Sequence, residues 1–546
     1  MNLKKVLTGM LAVVMVALSV TGALGTITAM AANEPDSVNN VYQITTADEL
    51  LWAAENPDKN YMLTEDIDLS DKADWAPIGT EETPFSGSFN GAGHKITIGI
   101  QYTGDAEAID RVGLFGYVTG TVANLTVDGT LTASIYSGYV GGIVANVAGG
   151  EVAGCTSNVA VSATGTGGVV HVGGVAGRIL NVGNPGGVIS GCVNNGSVNV
   201  TSTRSVSNSG GALGNGTNGA VGGVLGYIST FAKGYVDTSI NNGDITVTNW
   251  KNNIGGVVGQ SASSNAATAG YITYCANKGD ITVYSTQGER AAGIIGYIKG
   301  GLIQYCYNTG SVIEYTDAGN TVAHTGYGNA YGIFGYANLG TSNPLTVQYC
   351  YNASEQPLEA EICVVRNPQH GTFENFYMEG REEYETQLNA NATAGTPGTA
   401  FTSAADLWDK ISANENAATG YVENPEGGYP LLYFEVPGTL EKQDYNGVIE
   451  KEALGNDIGN ITFLLQIDDT IDTQNLTMTA ELYRYASVVD TAAFAAVQDG
   501  ESVKVGEMQF VAAEGTTLYS AVADSVPHSL WINATLTVKR GEEGGF

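Results

Sequence analysis

The sequence predicts an all-β protein: a right-handed parallel β-helix of about seven coils, helix-capped at both ends, then a small β-sandwich. Three observations predict it. A Cys-x-Asn motif recurs along the chain. A Gly-apolar-apolar-Gly run recurs upstream of it. Short alternating β segments fill the rest of each unit, with no helical pattern between them.

The Cys-x-Asn copies are Cys192/Asn194, Cys275/Asn277, Cys306/Asn308 and Cys350/Asn352. A decayed copy pairs Cys155 with Ser157, and another has Ser239 before Asn241. The glycine runs begin at Gly113, Gly142, Gly174, Gly223, Gly256, Gly293 and Gly332, at intervals of 29 to 49 residues. A period in this range marks a solenoid or propeller. Each unit is read as three strands: the glycine run itself, a strand leading into the cysteine, and an alternating strand such as Asp244–Val247 or Asp280–Val283. A propeller ranks second, because it needs about four strands per blade and repeated hairpin turns. Stacked at about 4.8 Å, seven coils give a rod of roughly 35 Å.

The motif residues then have structural duties. Cys155, Cys192, Cys275, Cys306 and Cys350 form a column of small buried hydrophobes. Asn194, Asn241, Asn277, Asn308 and Asn352 occupy left-handed turns and bond along the stack. The glycine two residues beyond takes positive φ at the same corner. Six cysteines in an exported chain permit disulfides, but Ser239 interrupts the column, so free thiols are expected.

Four regions follow. Residues 1–31 read as a signal peptide: Lys4 and Lys5, an apolar run, then Ala29-Met30-Ala31. Residues 32–112 form an N-terminal cap and opening coils, with a capping box at Thr46–Glu49. Residues 113–437 carry the repeats and end in a cap, where Ser403–Asp406 starts a helix over the last open coil. Residues 438–546 alternate like an Ig-like sandwich, with strands near Ile461–Ile467, Leu476–Leu482, Glu507–Val511 and Leu530–Val538. No lipobox cysteine or sortase motif is seen. The expected product is secreted or at the cell surface.

Charge excludes some partners. The chain carries 55 acids and 22 bases, a net of −33. The stretch from Leu131 to Cys350 is balanced, with seven of each, so the excess lies at the two ends. Nucleic acid and anionic membrane are repelled. No later stretch is apolar enough to insert in a membrane.

The repeat, Gly-x-x-Gly then Cys-x-Asn-x-Gly-[Ser/Asp]-[Val/Ile], resembles the GLUG-motif repeat of bacterial cell-surface β-helix proteins. The opening from Ile44 through Trp75-Ala-Pro-Ile-Gly79 to Phe89-Asn-Gly91 is similar to the usual start of such a helix. The resemblance spans roughly Val41 to Val436. It implies an exported protein of a mostly uncharacterised group.

Chemistry is sparse. A glycan-cleaving β-helix, of the lyase or hydrolase type, needs convergent carboxylates. The central coils hold only seven acids, and Asp244 and Asp280 stand where other coils have Ser197 and Ser311. No catalytic residue, cofactor or metal is therefore expected. The acidic runs at Glu65–Asp71 and Asp468–Asp472 read as solvated turns, with calcium as the alternative. The five histidines are scattered, without His-Glu-x-x-His. Tyr274, Tyr305, Tyr307, Tyr349 and Tyr351 flank the cysteines. If the cysteines point inward, these tyrosines point outward as an aromatic strip that suits a glycan or an extracellular protein. The expectation is a non-catalytic surface or adhesion protein. A polysaccharide-degrading enzyme and a purely structural envelope component are the alternatives.

Overall fold

The computed structural model describes residues 34–540 except 39–40, 106–107, 181–185, 203–218, 231–232, 249–251, 263–268, 285–289, 316–328, 355–363, 367–370, 380–398, 419, 433, 436–447, 450–457, 469–475, 485–486, 496, 501, 506–507, 512–514 and 528–531. The expected signal peptide and Cys363 lie outside the described residues.

The repeats coil into a parallel β-helix. One coil shows the pattern: strands Asn252–Gly255, Val258–Ser261, Gly270–Thr273, Ala276–Asn277 and Ile281–Tyr284. Each strand pairs in parallel with its counterpart in the next coil, as in Val258↔Ile295, Ile272↔Ile303 and Ile281↔Val312. The strands before the glycine runs make a seven-stranded sheet, those after them an eight-stranded sheet, and the remainder a long composite sheet.

This corrects the strand reading of the glycine run. Gly256 and Val257 are a corner between two strands. The corner is tight: a Cβ on Gly255 would lie 1.9 Å from the Val258 carbonyl oxygen.

Alternation sends one side of each strand inward. Ile245, Val247, Ile281 and Val283 are all buried, while Thr246 and Thr282 face out. The interior is mostly Val and Ile, as expected of strands whose β-branched side chains stack on themselves. The first coils are plugged by larger rings, with Phe115 5.2 Å from Phe85 and 5.3 Å from Phe89.

The N-terminal helix Ala47–Glu55 has the expected capping box. Glu49 N–H donates to Thr46 Oγ1 and Thr46 N–H to Glu49 Oε2. Its Leu50 and Ala53 join the coil interior.

The C-terminal helix Ala404–Ser412 forms, with Asp406 N–H donating to Ser403 Oγ. Its position corrects the expectation. Leu407 and Ile411 do not enter the coil interior; they pack in a separate cluster with Tyr307, Tyr351, Tyr377 and Tyr421 on the outer flank. The chain from Thr399 to Glu435 thus folds back along the side of the rod as a strap. The residues beyond form antiparallel sheets: one orders strands Val448–Ile449, Ile458–Asp468, Thr516–Pro527 and Val497–Gly500, another Ser487–Ala495, Leu476–Arg484 and Ile532–Arg540.

Candidate functional site

The Cys-x-Asn columns are structural throughout. Each thiol is buried and donates to the carbonyl two residues back, at 3.1 Å for Cys275 to Thr273 and 3.3 Å for Cys306 to Gln304. Cys155, Cys192 and Cys350 do the same. Ser239 replaces the thiol without loss, donating to Asp237 O at 2.8 Å. Burial pushes the thiols of Cys192, Cys275 and Cys350 above their ordinary range.

The asparagines form an unbroken chain of amides. Asn194 Nδ2 donates to Asn241 Oδ1 at 2.8 Å, Asn241 to Asn277, Asn277 to Asn308 and Asn308 to Asn352, each at 2.7 Å. The second amide proton goes to the glycine carbonyl two residues on, as in Asn277 to Gly279 at 2.9 Å. Buried amides need such partners. Asp244 and Asp280 bridge coils as well: Asp244 accepts from Asp280 N–H at 2.9 Å and Asp280 from Ser311 N–H at 2.8 Å.

The corner geometry differs from expectation. Neither the asparagines nor the glycines beyond them have positive φ. The left-handed residue is the one before the cysteine: Gly154, Gly191, Thr238, Tyr274, Tyr305 and Tyr349, at φ between 45° and 59°. The later glycine is needed for close approach instead, since a Cβ on Gly279 would sit 2.1 Å from Gly243 O.

The tyrosines do point outward and do stack. Tyr274 and Tyr305 lie 4.7 Å apart, Tyr305 and Tyr349 5.1 Å, and Tyr307 and Tyr351 4.9 Å. They are not, however, an exposed surface. Tyr305, Tyr307 and Tyr351 retain 7%, 1% and 0% exposure, and Tyr274 and Tyr349 pack half-buried against the same cluster. The strap covers them. Tyr421 OH donates to Tyr349 O at 2.7 Å, Tyr305 OH to Asn416 O at 2.9 Å, and Tyr351 OH to Pro430 O. Tyr307 OH donates to Glu435 at 2.7 and 2.9 Å, and Lys278 Nζ pairs with the same carboxylate at 2.5 Å. A Cβ on Gly420 would strike the Tyr305 ring at 2.1 Å. Stacked ring faces are spent on one another, so they offer no flat platform to a sugar.

The first acidic run has local partners, whereas residues 469–472 of the second lie outside the described residues. Asp68 accepts from Ser70 N–H at 2.8 Å and Asp66 from Lys95 N–H at 3.1 Å. Among the described residues no group of His, Cys, Asp or Glu has metal-binding geometry, and no helix is long and apolar enough to cross a membrane.

A second row of side chains was not anticipated. It follows the glycine corners on the outside. Tyr139, His171, Asn253 and Arg290 project from strands before the corner; Tyr117, Arg178, Tyr227, Gln260, Tyr297 and Tyr336 from strands after it. They meet across it, so the corner is re-entrant. Arg178 lies over the Tyr139 ring at 4.5 Å and donates to its hydroxyl. His171 stacks between Tyr139 and Tyr227, at 5.7 and 4.2 Å. Asn253 Nδ2 donates to Gln260 Oε1 at 2.6 Å. Arg290 lies over Tyr297 and Tyr336, at 4.9 and 4.1 Å. Burial, then the Arg178 charge, push His171 down to about 3, so its ring is neutral. Tyr139, Arg178, Tyr227, Arg290 and Tyr336 are half-buried, whereas Tyr117, His171, Asn253, Gln260 and Tyr297 are buried.

No family model matches the chain, and no curated protein matches it. It is similar to a solved structure from Bacteroides ovatus described as a "putative immunoglobulin A1 protease", with 15% identity and a TM-score of 0.41, over 74% of this chain and 97% of that one.

Proposed function

We propose that this chain is an exported, non-catalytic surface protein of the GLUG-repeat kind that binds glycan through the flank of its β-helix. The observation that supports it is the row along the re-entrant corner, where partly exposed tyrosines and arginines flank a buried Asn253–Gln260 amide pair. The row runs through coils of balanced charge in an otherwise acidic chain. Its polar groups sit at the interval of the coils, which suits a ligand that also repeats. Ile109 is the single large apolar side chain well exposed among the described residues, at 58%. Protein anchors rely on buried aromatic or apolar contacts, whereas hydroxyl-rich sugars need hydrogen-bonding edges.

The test is a polysaccharide panel scored for both binding and depolymerisation. Binding without chain shortening is expected. Shortening of any polymer, abolished by no groove substitution, would point instead to a degradative site elsewhere.

A further inference from the structure

Arg178 differs from Arg111, which lies two coils earlier on the strand before its corner. Arg111 is paired with Glu81, whereas Arg178 has no carboxylate partner among the described residues. The segments 181–185 and 203–218 contain no acid either. The Arg178 Nε is buried without a hydrogen-bond partner, and so is the neighbouring His171 Nδ1. His171 itself is only 7% exposed. Buried polar atoms without a partner are uncommon, and each calls for an explanation such as a bound water or ion, a carboxylate included.

The surroundings fix what that ligand would be. Tyr139 holds the guanidinium from below by its ring face and by its hydroxyl, which orients the fork. A guanidinium fork matches a carboxylate with two parallel hydrogen bonds. The neutral His171 adds no competing charge and keeps the ring stack dry.

Resting on the flank-binding reading above, we infer that Arg178 is a carboxylate seat and that the flank recognises a uronate-bearing polysaccharide. The acidic ends of the chain do not forbid this. Arg178 stands two coils beyond the coil that carries Arg111, in register with Tyr117, roughly 10 Å along the rod at the usual strand spacing. That is about one screening length at physiological salt.

The experiment uses the full chain against hyaluronan, alginate and polygalacturonate, each beside its carboxyl-reduced form, with poly-glutamate as the peptide control. At least one carboxylated polymer should bind ten times or more tightly than its reduced form. Arg178→Gln should abolish that preference at unchanged melting temperature, and Arg178→Lys should restore part of it. The preference should be flat from pH 5 to 8, because His171 stays neutral. Equal binding of reduced and carboxylated forms overturns the inference and leaves flank binding standing. Binding of no polymer of either form overturns both. Poly-glutamate bound as tightly as any uronate, and through Arg178, would make the partner an acidic protein and overturn the glycan assignment. Should Arg178→Gln unfold, Tyr139→Phe removes only the orienting hydroxyl and should weaken the preference severalfold; no change in it would count against the seat.

Discussion

A Cβ on Gly256 would lie 2.2 Å from Cγ of Asn277. The two residues come from the two halves of the repeat motif, and they occupy opposite sides of one contact. The pairing recurs at Gly174 with Asn194, Gly223 with Asn241, Gly293 with Asn308 and Gly332 with Asn352. Where the asparagine decays to Ser157, the partner is Gly142. The glycine runs and the Cys-x-Asn motif are therefore one device: an amide column wedged under a backbone corner that tolerates no side chain.

Asn277→Ala should be costly for that reason. It leaves Asn241 Nδ2 without its acceptor and Asn308 Oδ1 without its donor. Each stranded buried group costs about 1–3 kcal/mol. Chemical denaturation should show a loss of that order, with Thr282→Ala on the outer face as a near-neutral control.

The cysteine column should behave as packing. Denatured, unreduced protein should yield the thiols of Cys155, Cys192, Cys275, Cys306 and Cys350 to a colorimetric reagent, while native protein at pH 8 should yield almost none. Three or more thiols missing after denaturation would indicate disulfides. Ser239→Cys should be nearly neutral, because the hydroxyl already makes the thiol's hydrogen bond.

Asp237 gives the fold a pH dependence. Burial raises its carboxyl to about 6 from 3.8, despite hydrogen bonds from Thr273 and Thr238 that lower it. A raised acid favours the folded state most below the unfolded value and loses that contribution as pH climbs through the folded one. Stability should therefore fall between about pH 4 and 6 and stay lower above it. Asp237→Asn keeps an oxygen for the Thr273 hydroxyl. It should flatten this slope and raise stability at pH 7.5 by up to about 3 kcal/mol, from the two-unit shift.

The strap should be separable from the rod. Gly420→Ala drives a methyl into the Tyr305 ring, and Glu435→Gln removes the charge that Lys278 meets. Limited proteolysis should cut both variants between residues 399 and 435 faster than wild type. The coil transition itself should move little.

The ladder was legible in the sequence because each coil repeats its chemistry, and a repeat exposes which residues stack. The burial of Tyr307 and Tyr351 was not, because their cover arrives from Tyr421 and Glu435, about 70 to 130 residues later. A signal existed: the residue between cysteine and asparagine changes from Thr156 and Val193 to Ile240, Ala276, Tyr307 and Tyr351. That is the signature of a flank turning into an interface. The Arg178 row was missed because the glycine run was read as a strand. In a strand its flanking residues scatter over two faces; at a corner, His171 and Tyr227 converge.

The central claim is that the corner row binds and the strap-covered tyrosines do not. Array binding of three proteins tests it most directly: wild type, Tyr227→Ala with Tyr336→Ala, and Tyr307→Phe. With melting temperatures matched, the double variant should lose at least tenfold in array binding, while Tyr307→Phe keeps it. Retained binding in the double variant, or loss in Tyr307→Phe alone, would contradict the account.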